Sequence, residues 1–260
     1  MPASFLGEAW QLSFTILCNN LRFTDWFINM KSYIHALLWT KRHWQGLYEA
    51  WEIAYLKQYL QPTDIVIDVG AHAGSWSIPL SRLVTLGEVI GYEALPYYAN
   101  TLSKTVRLLR RKNIQVRNKA VSDKPGQLQL VHKSPTGATL TGYTHLIGID
   151  ETSTKTVLVD AVSLDDEFAT EQRRISFIKC DVEGAELSVF KGSKELIRKH
   201  KPVIYTEINE VWCQRYGHHA KTVFDLLASY GYTAYTLDKH GSMVSQLQAD
   251  SGDFLFMPVN

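Results

Sequence analysis

The stretch Ile65-Val66-Ile67-Asp68-Val69-Gly70-Ala71-His72-Ala73-Gly74 decides the fold. Its first five residues are mostly β-branched and apolar on both faces, the pattern of a central strand covered on either side. The glycines then turn the chain. Gly70 permits a tight turn and a close backbone approach, and Gly74 lets a helix begin near the sheet. Ser75 to Val84 has helical spacing. Working outward, Glu88-Val89-Ile90-Gly91-Tyr92 reads as a second strand. Pro96 to Lys112 reads as a helix whose last residues, Arg110, Arg111 and Lys112, suit the negative end of its dipole. Ile114 through Val121 is a third strand. Strands alternating with helices of this length imply βαβ units and a parallel sheet.

Gln127–Val131 and Thr156–Val162 alternate as strands around a Gly-, Thr- and Ser-rich stretch, Ser134–Asp150, and predict a small antiparallel insertion. The α/β rhythm resumes with a buried strand at Ile175–Cys180 and a helix at Glu183–Arg198. A strand at Val203–Thr206, a helix at Ala220–Ser229, and strands at Thr233–Thr236 and Phe254–Met257 follow. Before all this stands a different segment. Five of the seven tryptophans, Trp10, Trp26, Trp39, Trp44 and Trp51, fall in it, and it predicts two or three helices ending near Leu60. It reads either as a cap packed on the main domain or as a surface for a partner, a second subunit or a membrane interface. The expected division is a helical segment at 1–45 and an α/β domain at 46–260.

The chain has 260 residues, 45% of them hydrophobic and 20% charged, which excludes a mostly disordered polymer. Its 27 Lys and Arg against 26 Asp and Glu give a net charge of +1 and no global argument for a nucleic-acid partner. No run of about 18 apolar residues predicts a membrane span. Met1 to Trp10 has no basic residue and carries Glu8, unlike a secretory signal. Cys18, Cys180 and Cys213 are isolated and odd in number, which leads us to expect a reducing, cytoplasmic setting and no metal spacing.

The chemistry-bearing residues gather at the ends of the expected parallel strands, where open α/β sheets bind ligands. The turn has Gly70-x-x-x-Gly74 spacing, not the G-x-G-x-x-G of a dinucleotide site, and no Gly-Lys-Ser/Thr of a P-loop. Asp68 would repel a pyrophosphate but suits a cofactor with a cationic head. Glu93 ends the second strand 25 residues later, where a carboxylate accepts from both hydroxyls of a ribose. Lys179-Cys180-Asp181-Val182-Glu183-Gly184-Ala185-Glu186 follows the fourth parallel strand. It places Asp181 in the crevice and Glu183 at the opening of the next helix, with helix capping as the competing reading of each. Glu207 ends the next strand. Carboxylates so close raise one another's pKa, which suits a general base, and a divalent ion is the other use of such a group.

Together the 68–74 turn, Glu93-Ala94-Leu95-Pro96, Ala120-Val121-Ser122-Asp123, Ser163-Leu164-Asp165-Asp166 and the 179–186 stretch resemble the FkbM family of S-adenosylmethionine-dependent methyltransferases. The likeness runs from about Gly46 to Met257. It implies a Rossmann-like class I methyltransferase fold, with a mostly parallel seven-stranded sheet. It also implies methyl transfer, usually to a hydroxyl oxygen of a natural product, other small molecule or saccharide. By the same resemblance Asp68, Gly70, Ala71, His72, Gly74, Glu93 and Ala94 match the cofactor turn and ribose site. Ser122 and Asp123 match the adenine edge, Glu49 a Gly-x-x-Glu near the methionyl end, and Asp181 and Glu183 the Asp-Val-Glu-Gly signature. His72 stands where relatives commonly have Asn, and Ala94 where they commonly have Pro. As catalytic candidates we take Asp181, Glu183, Glu207 and His145, with His132 beside it and the loop Lys133–Gly148 as the acceptor wall. A non-catalytic interaction protein on the same fold and an NAD-dependent oxidoreductase are the alternatives. A homo-oligomer through the N-terminal segment is one of the readings open for that segment, and no nucleic-acid partner is expected.

Overall fold

The structure is a computed structural model and describes residues 21–46, 51–131, 145–146, 156–238, 240–246 and 249–259. The strands are β1 Ile65–Val69, β2 Glu88–Tyr92, β3 Ile114–Arg117, β4 Ala120–Val121, β5 Gly126–Val131, β6 His145–Leu146, β7 Thr156–Val162, β8 Ile175–Cys180, β9 Val203–Asn209, β10 Tyr232–Leu237, β11 Met243–Ser245 and β12 Ser251–Pro258. Eight of them form one sheet in the order β11-β10-β12-β9-β8-β1-β2-β3. The five strands from β9 to β3 run parallel, and β12 lies antiparallel between β9 and β10. Without the short β11 this is a mostly parallel seven-stranded sheet, as expected, with its last strand inserted antiparallel. β4, β7, β5 and β6 form a second, four-stranded sheet.

β1 and β8 are buried along their whole length. Alternate side chains feed different cores: Ile65, Ile67 and Val69 pack with the Ala220–Ser229 helix side, and Val66 packs with Ile78, Leu80 and Leu102 on the other face. Asp68 shares the face of Val66, and Lys179 that of Phe177, because side chains alternate along a strand. That puts two charged groups inside an apolar layer. A third cluster, with Leu95, Tyr98, Ala120 and Leu130, joins the second sheet to the first.

Three helices and one strand depart from expectation. The helix expected over Glu183–Arg198 is two, Glu186–Lys191 and Lys194–His200. Glu183 and Gly184 have φ of +54° and +102°, so no helix passes through them. Glu183 therefore does not open the helix, and Asp181 does not cap it. The strand expected over Ile114–Val121 divides into β3 and β4, in different sheets. Asn118 turns the chain, its side-chain amide donating to the carbonyls of Glu93 and Ala94 at 2.8 and 2.9 Å. Ser75–Val84 is regular only over Ser77–Leu80, and the Pro96 helix stops at Leu108 because Arg110 adopts a left-handed φ of +52°. The Leu21–Trp44 helix packs Ala36, Trp39 and His43 inward, and Tyr97 of the Pro96–Leu108 helix reaches its His35. Among the described residues no helix is long and apolar enough to cross a membrane.

Candidate active site

Val69 stands opposite Tyr92 on one side and Cys180 on the other, and Cys180 opposite Thr206. Residues 70, 93 and 181 therefore leave the sheet on one rim, at the point where strand order reverses. Glu207, expected to end its strand, lies within β9, which runs on to Asn209 because β12 continues to pair with it. A cavity of about 310 Å³ opens there, bounded by Gly70, His72, Glu93, Tyr98, Val121 and Asp181 among others. Its size suits a small-molecule site.

Gly70 has φ +78°, and a Cβ on it would stand 1.9 Å from the carbonyl oxygen of Asp181. Only glycine fits, which is how the two loops come so close. Glu93 is 8% exposed, and each of its oxygens accepts one backbone N–H at 2.8 Å, from His72 and from Leu95. Burial pushes its pKa up to about 7 despite those two bonds. A carboxylate has about four acceptor positions, so two remain for a ligand. The rings of His72 and Tyr98 lie 3.8 Å apart along the wall.

Asp68 is fully buried, accepts from Ser77 Oγ at 2.5 Å, and faces the Lys179 ammonium at 3.8 Å. Burial raises its pKa, with Lys179 and Ser77 opposing. Lys179 is 5% exposed, donates to the Gly70 carbonyl at 3.1 Å and pairs with Asp181 Oδ2 at 3.2 Å. Burial draws the Lys179 pKa down, but the Asp181 and Asp68 carboxylates outweigh it and the net shift is upward. Lys179 is thus a buried cation linking the cofactor turn to the Asp181 loop. Its signal in the sequence is a lysine in an otherwise apolar buried strand.

A second, smaller cavity of about 140 Å³ shares Lys179 and Asp181 with the first. Its other walls are Glu52, Trp76, Tyr205, Glu207 and Asp253, with the rings of Trp76 and Tyr205 4.9 Å apart. Burial raises the Glu207 pKa, and the Asp181 and Asp253 charges raise it further. Glu183 borders the larger cavity, and burial followed by Asp181, Glu207 and Glu186 pushes it up to about 8. Glu186 turns back to accept from the N–H groups of Val182 and Gly184 at 3.2 and 3.1 Å, which fixes the loop carrying Asp181.

The structure thus brings Gly70, His72, Glu93, Ala94, Asp181, Glu183 and Glu207 to the walls of the two cavities. Asp68, expected at the cofactor turn, borders neither and is sealed inside the sheet against Ser77 and Lys179. Ser122 and Asp123 do not border the cavity. The edge beyond β3 is lined instead by Lys119, Ala120 and Val121, while the Ser122 carbonyl packs against Gly192. Ala71 and Gly74 are packing positions, a Cβ on Gly74 meeting Leu102 at 2.5 Å. Glu49, His132 and nearly all of the 133–148 loop lie outside the described residues, as does the side chain of His145. Trp76, Tyr205, Glu52 and Asp253 were not legible as site residues, because their elements converge only in three dimensions.

A sequence profile described as the methyltransferase FkbM domain matches residues 68–234, more than half of the chain. The chain belongs to the FkbM methyltransferase family. Among solved structures, an FkbM methyltransferase from Methylobacillus flagellatus KT is 18% identical, over 76% of this chain and 44% of that one, with a TM-score of 0.48. An O-methyltransferase from Bacillus cereus, solved with S-adenosylhomocysteine, is 13% identical over 88% and 91% of the two chains, at 0.49. This FkbM-family chain therefore spans less than half the length of the first of these. No curated protein matches its sequence. Membership rests on the profile.

S-adenosylmethionine is the cofactor of the family, and the cavity fits it. Glu93 retains acceptor capacity for ribose hydroxyls, and Gly70 leaves the backbone open. Val121 and Leu130 supply apolar wall, and Asp181 presents a carboxylate to the cavity beside the turn. When bound, the cofactor supplies a methyl group on a cationic sulfur.

Proposed function

We propose that this protein transfers a methyl group from S-adenosylmethionine to a hydroxyl oxygen of a small, polar, hydroxyl-rich acceptor. The observation that carries this reading is the wall that the two cavities share, Lys179 and Asp181. The smaller cavity offers carboxylates that accept from hydroxyls and two aromatic faces against which a sugar-like ring packs. Asp181, held by Lys179 at 3.2 Å, orients the hydroxyl. Glu207, with its raised pKa, takes the proton, since a base with a pKa nearer the working pH is the more effective. The leaving sulfur is neutral, so the chain's main task is alignment. We infer a cytoplasmic setting, which the buried free thiols of Cys180 and Cys213 support.

The test is single-turnover transfer to a panel of hydroxylated acceptors, alongside calorimetric titration of the cofactor. Asp181→Asn should slow transfer by ~10²–10⁴ and leave cofactor affinity within a few-fold. Glu207→Gln should flatten the rise of rate with pH. A near-normal rate in both variants rejects the assigned roles, and transfer to an amine in preference to every hydroxyl rejects the acceptor class.

A further inference from the structure

The outer face of the Leu21–Trp44 helix is at odds with a free surface. Met30, Tyr33, Ile34, Leu37 and Leu38 recur at spacings of three and four and are all exposed, and Trp44, seven residues after Leu37, is 85% exposed. Residues at that spacing share one side of a helix. Scattered exposed apolar residues need no explanation, but a contiguous stripe of five, Met30 to Leu38, marks an interaction surface. The inner face is already committed: Trp39 stands edge-on to His72 with ring centroids 6.0 Å apart, and Arg82 donates to the His43 carbonyl at 2.9 Å.

Charge identifies what covers the stripe. Tyr97 meets His35 and Lys104 meets Ser32, so the Pro96–Leu108 helix runs beside this one in the opposite sense. Across Leu21–Gln45 and Ala94–Lys112 there are nine basic residues against one acid, Asp25, in a chain whose net charge is only +1. Lys31, Lys41, Arg42, Arg107, Arg110 and Lys112 are exposed. Lys41 stands in line with the apolar stripe, between Leu37 and Trp44, with Arg42 beside it toward one end of the helix pair, and Arg107, Arg110 and Lys112 lie beyond Lys104 toward the other. Nucleic acid takes the charge but leaves the apolar stripe wet. A second copy buries the stripe but brings like charges together. A bilayer with anionic headgroups satisfies both at once, with leucine, isoleucine and tryptophan at the acyl boundary and lysine and arginine at the phosphates.

We propose that this helix pair docks the protein on an anionic membrane surface, in the plane of the interface and without crossing it. The cofactor cavity then lies about one helix diameter, roughly 10 Å, from the headgroups, because His72 of its wall touches the inner side of the docking helix. The proposal does not depend on the acceptor or on methyl transfer.

The test is co-sedimentation of the full chain with phosphatidylcholine vesicles, with and without phosphatidylglycerol. Binding should need the anionic lipid and weaken as salt is raised. Ile34→Glu/Leu37→Glu should weaken it by at least about tenfold, two exposed aliphatic anchors having been lost. Lys41→Gln/Arg42→Gln should weaken it by a comparable factor, at about 1 kcal/mol for each cation near the surface. Calorimetric titration with S-adenosylmethionine should read the same in these variants as in the parent, showing that the fold is kept. Three results overturn the proposal: no binding to anionic vesicles; equal binding by the Ile34→Glu/Leu37→Glu variant; or a variant whose sole effect is to dissolve a dimer or to release an RNA oligonucleotide.

Discussion

Glu93 is held from behind by two N–H groups, of His72 and Leu95, and faces the cavity with the rest of its capacity. Hydrogen bonds to a charged group contribute about 1.5–3 kcal/mol each. Glu93→Ala should therefore weaken S-adenosylmethionine binding by roughly that amount, about ten- to a hundredfold in a calorimetric titration; unchanged affinity in a folded variant refutes the ribose role. Its position was legible because a strand end, a turn and a single carboxylate lie close in sequence. Lys179 was not, because its meaning depends on Asp68, more than a hundred residues away, and on which face of β8 it shares. Asp181 stood between the two cases: its place on the rim followed from strand order, but the capping reading was removed only by the left-handed backbone at Glu183 and Gly184.

Strands Ile65–Val69, Glu88–Tyr92 and Ile175–Cys180 match their expected bounds because β-branched runs bounded by glycine, proline or charge carry both type and limits. The misjudged elements share a different cause. Periodicity ran on through Gly192 and Asn118, where the chain turns for reasons of tertiary contact. At Gly192 the backbone φ is an ordinary −82°, so the glycine is not required for conformation. It is required for room: a Cβ would meet the Ser122 carbonyl at 2.1 Å. Gly192→Ala should accordingly cost about 1–3 kcal/mol of stability as an overpacked contact. A thermal melt would register this as a fall of several degrees, whereas an unshifted melt means that the β4 exit moves aside freely.

At the scale of the molecule, the buried acids and histidines set how stability follows pH. Glu93 and Glu186 are raised to about 7 and Glu183 to about 8, all from 4.5. Above 4.5 the unfolded chain releases those protons while the folded chain keeps them, so rising pH destabilises the fold until each folded pKa is passed. His43 and His72, lowered to about 4 from 6.5 by burial, act the other way between those values. The two effects oppose below 6.5, and above it the carboxyls act alone. The melting temperature of cofactor-free protein should thus fall between pH 6.5 and 8, and Glu183→Gln should flatten the fall. A profile that rises or stays level across that interval contradicts the burial of these carboxyls.

The largest sheet ends in β11, three residues long and exposed throughout, and in β3, four residues long. Strand edges are the places where chains template one another, and very short edges offer too few unpaired amides to recruit a neighbour. The sheet is therefore protected at both margins against growth by strand addition.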